Sequence, residues 1–225
     1  MDLALRRICD IERAVLVDFA CGSDSLEEFL RDSAHEYAEH GITETAVAFA
    51  EPDPSPVGYF SLSADVLRLS DAEGFELGLP FECPIHSFPA VKITKLAVRA
   101  DMQGSGIGWQ LVKLIEGLAF HGSVAVRLLT VDAINNPPAL RFYERCGFRS
   151  STYQALQQQP VRAGGRQRGP ARANNEPPRT ILMYRDLFDP MDDAAPAALR
   201  GANAPDQLLV DNPAAPANPA EQPRA

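Results

Sequence analysis

The stretch from Val91 to Leu118 constrains this chain more than any other. Val91, Ile93, Leu96 and Val98 are apolar and β-favouring, as a central strand requires. Ile107, Leu111, Leu114, Ile115 and Leu118 then recur at helical spacing, with Trp109, Gln110, Lys113 and Glu116 largely between them. Between strand and helix stands Gln103-Gly104-Ser105-Gly106-Ile107-Gly108. A helix N-terminus carries unpaired N–H groups and a partial positive charge, and glycine lets those groups approach an anion closely. The arrangement predicts a strand-to-helix turn that seats a phosphate-bearing ligand, although a tight turn also needs glycine for backbone reasons alone.

Two common nucleotide loops do not fit. A Walker loop needs Lys and then Ser or Thr after its last glycine, whereas Gly108 is followed by Trp109 and Gln110. The dinucleotide fingerprint places glycines first, third and sixth near the start of a βαβ unit. Here they are Gly104, Gly106 and Gly108, deep in the chain, and no suitable acidic residue follows the next strand's start.

Gln103 to Gly108 resembles the pyrophosphate loop of the GNAT superfamily of acyl-CoA N-acyltransferases, which reads Arg or Gln, two residues, Gly, one residue, then Gly or Ala. A second matching stretch follows an apolar strand, Val126 to Val131: Asn136, Ala139, Phe142-Tyr143-Glu144-Arg145 and Gly147-Phe148. The resemblance implies a single α/β domain with a mixed, mostly antiparallel sheet flanked by helices, and acetyl-CoA as co-substrate. By that resemblance Gln103, Gly104, Ser105, Gly106, Ile107 and Gly108 hold the pyrophosphate. Thr94 to Val98, with Leu96 and Val98, lies along the pantetheine arm, and Asn136 contacts the cofactor.

Tyr143 takes the position of a tyrosine directed at the thioester sulfur. A phenol suits that role because it gives up a proton while staying neutral at working pH. The plain alternative for Phe142-Tyr143 is a pair of core aromatics, and for Asn136 a helix cap ahead of Pro137-Pro138. The Val98 N–H is the candidate oxyanion donor. Glu44, Asp132 and His86 are each chemically able to act as base, as is a water chain.

A narrower likeness covers Phe19-Ala20-Cys21-Gly22, Leu26, Phe29, Leu30 and Gly58-Tyr59-Phe60-Ser61-Leu62-Ser63. It is similar to the GNAT branch that includes toxins of bacterial toxin–antitoxin pairs, which acetylate aminoacyl-tRNA. That branch implies an aminoacyl-tRNA acceptor and a ribbon-helix-helix antitoxin as partners. Three functions stay open: an N-acetyltransferase of a primary amine, such a toxin, or a non-catalytic CoA-binding module; a homodimer is open as well. Cys21 itself reads as a small buried hydrophobe.

The remaining sequence bounds these readings. Of 21 basic and 30 acidic residues, residues 1–150 hold 13 and 22, so they carry the whole net charge of −9. A tRNA-gripping surface needs excess positive charge, which this body lacks, whereas a cationic amine or basic peptide suits it. Cys9, Cys21, Cys83 and Cys146 lack metal-ligand spacing, and no signal peptide is recognisable, so a reduced cytoplasmic protein with no membrane span is expected.

Ser23 and Asp24 read as the cap of a helix carrying Leu26, Phe29, Leu30, Ala34 and Tyr37. Thr45 to Ala50 and Val57 to Ser63 read as a hairpin, 71–89 as an irregular segment bordering the acceptor pocket, and Ser151 to Gln157 and Thr180 to Leu187 as the last strands. The expected domain is 1–188, with a basic insertion at 158–179 bearing Arg162, Arg166, Arg168, Arg172 and Arg179. An Ala- and Pro-rich tail, 189–225, is expected to be disordered.

Overall fold

The computed structural model describes residues 2–50, 52–157 and 178–189. The basic insertion and the tail therefore lie outside the described residues, except for Pro178, Arg179 and Asp189.

Seven strands form one sheet in the order β1-β2-β3-β4-β5-β7-β6: β1 (Leu3–Arg7), β2 (Glu44–Ala50), β3 (Pro56–Arg68), β4 (Ser87–Val98), β5 (Leu128–Ile134), β6 (Arg149–Ser150) and β7 (Thr180–Asp186). Every pairing is antiparallel except β4 with β5. A parallel neighbour requires a crossover, and α5 (Ile107–His121) provides it.

Leu111, Val112 and Ile115 of α5 are fully buried against Phe60, Ile93, Leu129 and Met183, one apolar face of the sheet. α6 (Pro137–Arg145) covers the same face. On the opposite face α2 (Asp24–Glu28), a π-turn (Phe29–Ser33) and α3 (Ala34–Glu39) pack Phe29, Leu30 and Ala34 on Val47, Phe49 and Tyr59. The short α1 (Arg13–Leu16) adds Leu16 to that cluster. A third cluster on this face joins Leu67, Leu69, Leu77, Phe88 and Tyr184.

Several boundaries differ from the sequence reading. β1 was not foreseen, because Met1 to Arg7 has mixed character. Ser23 makes no side-chain cap; Glu27 instead reaches back to the N–H groups of Cys21 and Gly22, at 2.8 and 2.9 Å. The irregular 71–89 segment holds α4 (Asp71–Phe75), opened by a reciprocal Ser70–Glu73 capping box, and then the first residues of β4. Pro89 is tolerated inside β4 because it opposes Val66 at a pair whose N–H turns away from β3, and pairing with β5 starts only at Ala90.

Ser151 to Gln157 is not a strand. β6 ends at Ser150, and α7 (Thr152–Gln157) follows because the Ser151 hydroxyl accepts from the Gln154 N–H and the Glu73 carboxylate accepts from the Thr152 N–H at 2.8 Å.

Candidate active site

β4 and β5 share four residue pairs, from Ala90–Leu128 to Ile93–Val131. Beyond Ile93, β4 continues to Val98 with a partner on the β3 side only. The two parallel strands thus splay apart, and one edge of β4 is left open. A β-bulge sits where the splay begins: Ser61 opposes Lys95 and Leu62 opposes Ile93, which leaves Thr94 as the extra residue. Its Oγ1 donates to the Ser61 carbonyl at 3.0 Å. One extra residue shifts the side-chain alternation by one, so Leu96 and Val98 return to the α5 face that Val91 and Ile93 occupy.

The same ladder fixes the backbone groups. The Arg99 N–H donates to the Val57 carbonyl at 2.9 Å. Antiparallel pairs alternate between hydrogen-bonded and non-bonded, which makes Phe60–Leu96 and Gly58–Val98 non-bonded pairs. The N–H groups of Leu96 and Val98 consequently point away from β3, into the splay.

After a single 3-10 turn the chain enters the glycine loop. Gly104 and Gly106 have φ of 79° and 92°, a conformation that favours glycine, and open space lies where a Cβ would stand on either. Gly106 occupies the N-cap position of α5 without a side-chain cap. Among the described residues, no hydrogen-bond acceptor faces the backbone N–H groups from Gly104 to Gly108. The residues present therefore fit a pyrophosphate: an open cradle, free donors and the positive end of a helix of 15 residues. Gly108 has a different reason to be glycine, since a Cβ there would come within 3.2 Å of the Phe142 ring.

That contact brings α6 to the loop. Tyr143 packs edge-on to Phe142 and Phe148, with centroids at 5.0 and 5.5 Å. Its hydroxyl has no hydrogen-bond partner among the described residues, and burial of the ring raises its pKa, so the phenol stays protonated. Asn136 caps α6, its Oδ1 accepting from the Ala139 N–H at 2.9 Å, with Pro137 in the first turn. At the other end of α6, the Arg185 guanidinium donates to the Cys146 carbonyl and pairs with Glu116 at 3.0 Å, tying the helix to β7 and α5.

The sheet face away from α5 is polar beneath the splay. Between its two apolar clusters lie the buried Thr45 and Ser61, bonded to each other at 2.7 Å, and Asp65, which accepts from Thr130 at 2.6 Å. Lys92 pairs with Asp132 at 2.6 Å, and the Lys95 ammonium sits 5.3 Å from the centre of the Phe29 ring. Of the three candidate bases, Asp132 lies here, one residue past the last β4–β5 pair. Glu44 is engaged by Arg7 at the β1 side of the sheet. His86 lies just before β4, about 26 Å from Thr94 at the usual strand rise, beside Asp71. The cavity lined by Leu69, Phe75, Phe81, Cys83 and His86 is at that far end of β4, away from the splay.

The profile of the acetyltransferase (GNAT) family matches residues 19–148. The chain belongs to the GNAT acetyltransferase family. Acetyl-CoA is the co-substrate of that family. Solved structures share the fold: a bacterial toxin at 17% identity and TM-score 0.58, over 83% of this chain and 91% of that one. A mutant of KacT aligns at 19% identity and TM-score 0.56, over 83% and 96%. AtaT complexed with acetyl-methionyl-tRNAfMet aligns at 22% and 0.55, over 67% and 89%.

Within this GNAT domain, sequence reasoning missed the Thr94 bulge, although a signal for it was present. The apolar spacing of β4 runs Val91, Ile93, Leu96, Val98, and the single step of three interrupts the period of two. It also missed Lys95 on Phe29 and the hold of Gln103 on Cys21, which join segments far apart in sequence. Cys21 is buried as expected, and burial raises its thiol pKa. Among the described residues, no group of side chains has the makings of a metal site and no helix is long and apolar enough to cross a membrane.

Proposed function

We propose that this protein is an acetyl-CoA-dependent N-acetyltransferase that passes the acetyl group directly to a primary amine held on the sheet face away from α5. The observation that carries this reading is the convergence, at the open end of β4, of the uncapped N-terminus of α5 and the unpaired N–H groups of Leu96 and Val98. The loop from Gln103 to Gly108 receives the pyrophosphate, and the open edge of β4 aligns the pantetheine arm.

Acetyl-CoA supplies the activated thioester; the chain supplies position and charge. The N–H of Val98, or that of Leu96 two residues before it, stabilises the oxygen that gains negative charge during attack. Tyr143 donates from its hydroxyl to the departing sulfur. A phenol whose pKa is raised acts there as a hydrogen-bond donor held in the neutral form, giving up its proton as charge develops on sulfur. Asn136 retains its amide nitrogen for the cofactor while its oxygen caps α6. Asp132, or a water it orients, takes the proton from the amine. Cys21 and Cys146 are buried thiols, the latter pushed up to about 11 mainly by burial, which speaks against either of them as an acyl carrier.

The test is release of free CoA thiol from acetyl-CoA with a panel of primary amines, basic peptides and aminoacyl-tRNA, each product identified by mass. Turnover with at least one amine, lost in Tyr143→Phe, is expected. CoA binding with no amine acetylated would leave a binding module instead.

A second reading has its own support. Lys95 and the exposed Tyr37 ring, both packed on the buried Phe29, set a cation and an aromatic beside the splay, the combination that holds single-stranded RNA ends. Under this reading the acceptor is aminoacyl-tRNA and the protein is a toxin held in check by a partner antitoxin. Growth arrest on expression alone, relieved by Tyr143→Phe, together with acetylated aminoacyl-tRNA, would establish it. Unimpaired growth would remove it.

A further inference from the structure

The Cys21–Gly22 turn has no part in the chemistry above, and the thiol does not explain it, since Cys21 is buried among Phe19, Tyr59 and Leu30. Its backbone is engaged on both sides. The Glu27 carboxylate accepts from the N–H groups of Cys21 and Gly22, at 2.8 and 2.9 Å. The Cys21 carbonyl accepts from Gln103 Nε2 at 2.8 Å, and the same nitrogen donates to the Val98 carbonyl at 3.1 Å. One residue away, the Ala100 N–H donates to the Ala20 carbonyl at 2.9 Å. Both amide hydrogens of Gln103 are thus spent on protein carbonyls, one on the turn and one at the open end of β4.

We propose that Glu27 and Gln103 are positioning residues for the CoA pyrophosphate loop, with the Cys21–Gly22 turn as the strut between them. This rests on reading Gln103 to Gly108 as the pyrophosphate seat. A loop with three glycines has more freedom to lose than a loop of its length with fewer, and whatever it loses on binding is subtracted from affinity. A strut that holds the loop in its bound shape removes that cost beforehand. Glu27 fixes the turn, the turn presents its carbonyl, and Gln103 anchors the first residue of the loop while keeping its own backbone beside Val98. The side chain of Gln103 therefore acts on the ligand through the backbone N–H groups that follow it, without touching the ligand.

The experiment is titration of the full chain with CoA, followed by the fluorescence of Trp109, the single tryptophan, one residue past Gly108. Loss of the strut, which removes two hydrogen bonds in either variant, predicts CoA affinity about tenfold weaker in Gln103→Ala and in Glu27→Ala. Gln103→Arg, which keeps N–H donors, is expected to recover most of the loss. The double variant should bind no more weakly than the worse single one, because both break the same strut. In turnover, KM for acetyl-CoA should rise while kcat at saturation holds. Two results would overturn the proposal: unchanged CoA affinity in both single variants, even with a lowered melting temperature, or losses that simply multiply in the double variant. Failure of the unchanged chain to bind CoA would bring down the pyrophosphate reading and the strut together, whereas equal binding by unchanged and variant chains would remove the strut alone.

Discussion

Helices α5 and α6 both begin beside the open end of β4, and they begin in opposite ways. α6 satisfies itself: Asn136 accepts from the Ala139 N–H, and Pro137 fills a position whose N–H would have gone unpaired. α5 starts at Gly106 in the left-handed region, with no side-chain cap and donors left free. A capped terminus contributes stability and leaves fewer donors free, whereas an uncapped one forgoes that stability and presents several donors and a positive dipole to a ligand. Two helices packed through Phe142 on Gly108 thus serve different ends under the proposed function, one holding Tyr143 and one offering its open terminus to an anion.

This contrast can be broken at either end. The largest effect is expected in Tyr143→Phe, where turnover should fall about a hundredfold or more while CoA affinity stays, because only the hydroxyl is removed; comparing kcat with a CoA titration checks it. Next is Gly106→Val, which forces a β-branched residue to φ of 92° and fills the cradle. CoA affinity should drop roughly tenfold to a hundredfold, and strain should cost about 1–2 kcal/mol, read by calorimetry and urea unfolding.

Asn136→Ala is the sharpening control on the other helix. Stability should fall by about 1 kcal/mol together with a modest loss of CoA affinity, and Asn136→Asp should restore the stability but not the affinity, because it keeps the capping oxygen and lacks the amide nitrogen.

The smallest effect concerns a third, self-satisfied terminus. Burial by itself would raise the Glu73 carboxyl, but hydrogen bonds from Ser70 and Thr152 outweigh it and hold its pKa below the ordinary value. A depressed carboxylate stabilises the fold above its unfolded pKa, and that contribution is lost as pH falls through the folded value. Melting curves taken downward from about pH 5 should therefore steepen their loss near and below about pH 4.3, and Glu73→Gln should flatten that limb. An unaltered limb would show that Glu73 does not carry it.

How much of this was legible depended on how local each cause was. The β4-loop-α5 unit was readable because its signals are contiguous: a β-favouring run, three glycines and a helical repeat. Asn136 was readable as a cap since Pro137 follows it directly. Ser151 to Gln157 misled because Ser-Thr-Tyr looks like strand composition, while the bond that turns it into a helix start comes from Glu73, far back in the chain. His86 looked chemically able, yet its distance from the bulge follows from where β4 begins, which the proline-rich segment disguised.

By itself the sequence determined the family and marked the glycine loop and Tyr143 on which the proposed site rests, because each depends on short-range spacing that survives in one dimension. Tertiary structure alone decided that β4 loses its β5 partner at Ile93, that Leu96 and Val98 turn their N–H groups into the gap, and that Gln103 is braced on Cys21. Those features arise from pairing register and from contacts between residues up to 82 positions apart, and no local pattern encodes which partner a backbone group will find.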